Sequence, residues 1–84
     1  MELKDLRNEI DKIDQELVCL IEKRMEIVKK IGKYKKEKNL PILDQNREEE
    51  VINKNIAYLK NSTNIELYKE IITKIMEVSK KIEK

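Results

Sequence analysis

The sequence predicts an all-α chain of three helices, one long and two shorter. Three observations lead there. Charged residues make up 43% of the 84 and hydrophobic residues 39%, with one Gly and one Pro. That balance suits helices with solvated outer faces and disfavours a β-sandwich or a disordered segment. Apolar residues recur at alternating spacings of three and four from residue 3 to residue 34, the signature of a heptad seam. Helix-terminating residues fall in two short stretches, 39–43 with its Asn and Pro and the polar 61–64, which divide the chain into one long and two shorter segments.

The first helix is expected over residues 2–38. Its seam reads Leu3, Leu6, Ile10, Ile13, Leu17, Leu20, Arg24, Ile27, Ile31 and Tyr34. At the standard rise it spans about 54 Å. Gly32 lies inside it at some cost in helix propensity, and the helix ends near Asn39, before Pro41. A loop, 39–43, leads to Asp44, a suitable N-cap for a second helix running to about Lys60. The inward stripe of that helix is Glu48, Ile52, Ile56 and Leu59, with Val51 beside it. Residues 61–64 are turn material. Thr63 with Glu66 fits a capping box for the third helix, and Asn64 is the rival cap. Tyr68, Ile72, Ile75, Ser79 and Ile82 occupy seam positions there, flanked by Ile71 and Met76.

Eighty-four residues make one domain, 1–84, with a modest core. The second and third helices together measure about as much as the first and cover only part of its seam. The remainder needs another chain, so the sequence predicts an intertwined helical-bundle homodimer.

Composition excludes several functions. Net charge is +2 with acids and bases interleaved, without the basic block of a nucleic-acid binder. The cluster Lys33, Lys35, Lys36 and Lys38 reads as the solvated end of a helix. Absence of Trp and Phe leaves little stacking surface for bases. No stretch approaches a membrane span and no signal-peptide pattern opens the chain. The single Cys19 makes no intrachain disulfide and suits a reducing cytoplasm. Without His, imidazole catalysis and imidazole zinc sites are ruled out.

Of 19 basic residues only Arg7, Arg24 and Arg47 are arginines. Arginine is hard to replace where a planar fork must grip a carboxylate or phosphate. Arg24 interrupts the apolar seam, and a buried guanidinium without a partner is costly. A buried ion pair or a snorkelling side chain would explain it structurally. A pocket that holds an anion explains it better. Lys35 lies almost on the same helical face, about 16 Å further on, although alone it would be one more solvated lysine. Arg7 lies about 25 Å before Arg24 on the same rod, so the two meet only across a dimer. Glu48 is in register with Ile52 and Ile56, and its buried carboxylate needs a donor. Asp44 also has an explanation in capping, and Ser79 in back-bonding to its own helix. No nucleophile–base pair, metal constellation or glycine-rich phosphate loop is present. The set suits a small, polyanionic, hydroxylated ligand and a reaction that needs positioning and electrostatic stabilisation without a covalent step.

The stretches LRNEIDKIDQELVCLIEKR (6–24), IGKYK (31–35) and LPILDQNREEEV (40–51), followed by a serine late in the third helix, resemble the all-helical chorismate mutase family over essentially the full length. The resemblance implies a Claisen rearrangement of chorismate to prephenate, by an intertwined dimer with two active sites and no cofactor or metal. It implies that Arg24 and Arg7 of the other subunit clamp the substrate carboxylates. Lys35 would donate to the ether oxygen, where negative charge grows as the C–O bond breaks. Asp44 and Glu48 would contact the ring hydroxyl, and Arg47 and Ser79 would complete the pocket wall.

One position departs from the family pattern. Glu83 stands where the family commonly has Gln, a second donor to the ether oxygen. An ionised Glu only accepts, whereas a protonated Glu donates. Burial favours the neutral acid and the nearby Lys35 the carboxylate. Two other readings compete: an isochorismate-pyruvate lyase on the same fold, and a non-catalytic helical dimerisation or regulatory module.

Overall fold

The computed structural model describes residues 2–84. They form three α-helices, α1 (Leu3–Glu37), α2 (Gln45–Ile56) and α3 (Ile65–Glu83), with a 3₁₀ turn, Ser62–Asn64, before α3. No strand occurs among the described residues, so the all-α expectation holds. The long dimension is 54 Å, and the other two are 25 and 16 Å. Helix α1 sets that length, and α2 and α3 lie beside one end of it.

Helix α1 ends as the sequence indicates. Asn39 takes a positive φ of 55°, a conformation Asn tolerates better than most residues. The Leu40 amide donates to the Lys35 carbonyl at 2.8 Å and the Asn39 amide to the Lys36 carbonyl at 3.3 Å. This is a Schellman closure with Asn in the left-handed position. It turns the chain back on itself, so that the Lys35 ammonium donates to the carbonyl of Ile42 at 2.9 Å. Asp44 then caps α2, its carboxylate accepting from the Arg47 amide at 3.0 Å.

Helix α2 stops at Ile56 instead of near Lys60. The amides of Tyr58 and Leu59 donate to the carbonyls of Asn55 and Ile56, each at 3.0 Å. These tighter i→i−3 bonds end the α-helix and begin the return toward α3. The Asn55 side-chain amide donates to the Tyr68 hydroxyl at 2.9 Å, which ties that return to α3. The Thr63–Glu66 capping box does not form. Asn61 caps the 3₁₀ turn instead, accepting from the Thr63 amide at 3.0 Å and the Thr63 hydroxyl at 2.7 Å. With its hydroxyl engaged there, Thr63 is drawn into the turn. Asn64 takes the N-cap position of α3 but makes no side-chain cap bond.

The seam of α1 is not the face on which α3 lies. Within the chain α3 buries Val28 and Gly32, a stripe adjacent to the seam, using its own Ile72, Met76, Ser79 and Glu83. Met76 is therefore core, and Ile71, expected beside the seam, is 58% exposed. Ile27, Ile31 and Tyr34 remain largely exposed, as does every described residue before Ile21. The buried hydrophobic core consists of Val28, Ile72 and Met76. A helix can carry two apolar stripes, and periodicity alone reports only the longer one.

Candidate active site

A pocket of about 250 Å³ opens where the three helices converge. Helix α1 contributes Arg24, Val28, Ile31 and Lys35. The loop brings Ile42 and Asp44, and the first turns of α2 bring Arg47, Glu48 and Val51. Helix α3 closes the pocket with Met76, Ser79, Lys80 and Glu83. Seven of the eight residues expected to form the site therefore converge: Arg24, Lys35, Asp44, Arg47, Glu48, Ser79 and Glu83. Arg7 does not. It lies in the exposed first part of α1, about 25 Å from Arg24 along the helix axis.

The charges in the pocket are arranged unevenly. Lys35 is ion-paired with Glu83 at 2.6 Å, with side chains 20% and 9% exposed. That contact is close but poorly directed, since Glu83 Oε1 is buried without an aligned hydrogen bond. Lys80 pairs with Glu48 at 2.9 Å, joining α3 to α2. Arg47 turns along its own helix to Glu50, so its guanidinium is engaged at the pocket's outer edge. Arg24 differs from these three cations. No carboxylate among the described residues forms an ion pair with it, and its partner is the Ser79 hydroxyl.

Ser79 has a defined polarity. Its hydroxyl donates to the carbonyl of Ile75 at 2.8 Å. A hydroxyl has a single proton, so toward Arg24 it can only accept. The back-bond to its own helix and the contact with Arg24 thus act together. The serine holds one guanidinium N–H and leaves the rest of the planar fork for another acceptor. A half-buried cation at a pocket, with no carboxylate paired to it, is suited to hold an anion.

Two residues escaped the sequence reading. Lys80 sits beside Ser79 and would have read as another solvated lysine, because its partner Glu48 lies on a different helix. Gly32 was legible only as a weak point in α1. Its contact with α3 has no local sequence signal. No group of three or more His, Cys, Asp or Glu side chains among the described residues is placed to hold a metal, and no described helix is long and apolar enough to cross a membrane.

Residues 6–84 match the family model described as chorismate mutase type II. The chain is 37% identical over 89 aligned residues to a bifunctional chorismate mutase/prephenate dehydratase of Aquifex aeolicus, covering 96% of this chain and 25% of that protein. It is 52% identical over 46 residues to the T-protein of Haemophilus influenzae, covering 55% of this chain and 12% of that protein. The chain thus spans a quarter or less of the length of these relatives. Among solved structures, a conserved hypothetical protein from Pyrococcus furiosus superposes with a TM-score of 0.81 at 48% identity, covering 98% of this chain and 95% of that one. With nearly its whole length matched, the chain belongs to the type II chorismate mutase family.

Proposed function

We propose that this chain is a chorismate mutase that rearranges chorismate to prephenate, acting as an intertwined homodimer in the cytoplasm with no cofactor. The observation that carries the reading is Arg24, a guanidinium at the pocket with a hydroxyl for a partner and no carboxylate. The reaction breaks one C–O bond and forms one C–C bond within a single molecule, so the protein has no covalent step to perform. Its tasks are to select the compact substrate conformer and to stabilise the charge that grows on the ether oxygen.

Each residue then has a task. Arg24, oriented by Ser79, grips one substrate carboxylate, and the partner's Arg7 grips the other. Lys35 is steadied by Glu83 and the Ile42 carbonyl. An ammonium has three N–H donors, so one is left to point at the ether oxygen. Glu48 and Asp44 receive the ring hydroxyl, and Arg47 completes the outer wall. Glu83 stands beside the ether oxygen as the carboxyl that aims Lys35.

Surface area supports the dimer. A compact monomer of this size exposes about 5,300 Å² by the usual scaling with mass, whereas this chain exposes 7403 Å². The excess, about 2,100 Å² per chain by that scaling, is what an obligate, intertwined interface removes from water. A dimer that pairs the bare half of one α1 with the covered half of another also brings Arg7 to the second chain's pocket.

Product analysis tests the reading. Purified protein incubated with chorismate should yield prephenate. Release of pyruvate from isochorismate without prephenate formation would assign the lyase chemistry instead. Turnover of neither substrate would leave a non-catalytic helical module.

A further inference from the structure

Gly32 lies in the middle of a helix turn with ordinary helical backbone, since no glycine here has positive φ. Conformational freedom therefore does not explain it, and in a helix interior glycine is less favourable than alanine. The explanation lies across the interface. A Cβ built on Gly32 would stand 2.8 Å from the Cα of Glu83, 3.0 Å from its carbonyl oxygen and 3.3 Å from its carbonyl carbon. All three are backbone atoms, which cannot rotate away as a side-chain tip would. The last turn of α3 sits directly on the backbone of α1 at this point.

Glu83 is the residue most dependent on that approach. Its side chain is 9% exposed and meets Lys35 at 2.6 Å, one turn beyond Gly32 on the same stripe of α1. Its Oε1 has no aligned hydrogen bond to hold it otherwise. Where the carboxyl sits is thus set by where the helix end sits. We propose that Gly32 is the positioning residue for Glu83: the missing side chain seats the end of α3 on α1 and thereby holds the Glu83 carboxyl against Lys35 in the pocket. The inference deepens the mutase reading and rests on it for its catalytic consequence, but the seating itself does not.

Two measurements on Gly32→Ala separate these layers. In the full chain, Gly32→Ala should lower kcat for chorismate at least tenfold with KM changed less than threefold. Combined with Glu83→Ala it should cost less than a further threefold, because both changes remove the same interaction. A general structural lesion would instead add its full loss to that of Glu83→Ala, and full additivity overturns the proposal. The second measurement needs no turnover. Gly32→Ala should lower the unfolding midpoint of the full chain, or prevent folding. In a chain ending at Ile82, which lacks the three clashing atoms, it should raise the midpoint through helix propensity alone. The same sign in both backgrounds overturns the seating. The reversal without any chorismate turnover would uphold the seating and remove the mutase reading.

Discussion

The two halves of α1 differ in what covers them. From Ile21 onward the helix seats α3 along Arg24, Val28, Gly32 and Lys35. Before Ile21 every described residue is exposed, with Ile10 at 56% and Ile13 at 59%. Yet the bare half has the unbroken apolar seam, and the covered half is the one in which Arg24 interrupts it, with Gly32 and Lys35 on the adjacent stripe. An unbroken heptad seam is what two equivalent helices need to pack along one another. The interruption at Arg24 opens onto the pocket, and the adjacent stripe takes the chain's own third helix. In this molecule the regular half is bare, and the irregular half carries the candidate site.

The strongest way to break that comparison is to charge the regular half. Ile13→Asp would place a carboxylate in the seam, where the proposed dimer would bury it, and an unpaired buried charge outweighs the margin by which small proteins are folded. The expected outcome is loss of the folded dimer, read by circular dichroism and sedimentation. Lys12→Asp, one position away and off the seam, should change neither. A stable, folded Ile13→Asp monomer would mean that the regular half is only a solvated face.

The next effect belongs to the irregular half. Arg24→Ala should retain helix content while kcat/KM falls about 10²–10³-fold, the usual consequence of removing one preorganised charge contact. Arg7→Ala should lose activity comparably, although Arg7 lies far from the pocket of its own chain. Mixing the two inactive variants tests the link between the halves. Random pairing of protomers rebuilds one intact site in each mixed dimer and restores about a quarter of wild-type activity. No recovery on mixing would place Arg7 outside the site.

How much of this was legible follows the same division. The existence of all three helices, the Asn39 closure and the Asp44 cap depend on neighbours within a few positions, and the sequence carries them locally. So does the inward register of Glu48 and Ser79. The end of α2 was misjudged because nothing in 57–60 breaks a helix. The tightened turn there comes with the tie between Asn55 and Tyr68, a contact between helices. The stripe on which α3 lies was hidden for a related reason. Gly32 and Lys35 do not look apolar, and only the close approach of a second backbone makes that face a packing surface. The pairing of Lys80 with Glu48 depends on how α2 sits against α3, which periodicity does not encode.

A smaller effect concerns the junction where the irregular half meets the end of α3. Lys35 faces the Glu83 carboxyl from α1, and Lys80 shares the pocket from α3. Glu83→Gln keeps an acceptor for Lys35 in the same place and adds an N–H donor, so kcat should stay within about threefold of the wild type. Glu83→Ala removes the partner altogether and should lower kcat at least about tenfold. Equal losses for the two variants would mean that the charge of Glu83, and not its place beside Lys35, is what the site needs.

The smallest effect is expected at Lys80, and it tests whether paired and unpaired cations really differ. Lys80 and Glu48 are 33% and 28% exposed and meet at 2.9 Å. A pair this accessible to water contributes about 0–1 kcal/mol. Lys80→Met should therefore lower the unfolding midpoint by no more than about 8 °C for a domain of this size. The methionine retains most of the apolar stem, so packing against α2 survives. Chorismate, the proposed substrate, is a dianion, so losing one positive charge at the pocket should raise KM a few-fold, with a difference that shrinks as salt is added. The value of kcat should stay within twofold, because the ammonium is already committed to Glu48 and is not aimed at the developing charge. A loss as large as that of Arg24→Ala would make Lys80 a direct substrate contact. The anion site would then belong as much to α3 as to the interrupted half of α1, and the division between regular and irregular halves would no longer locate it.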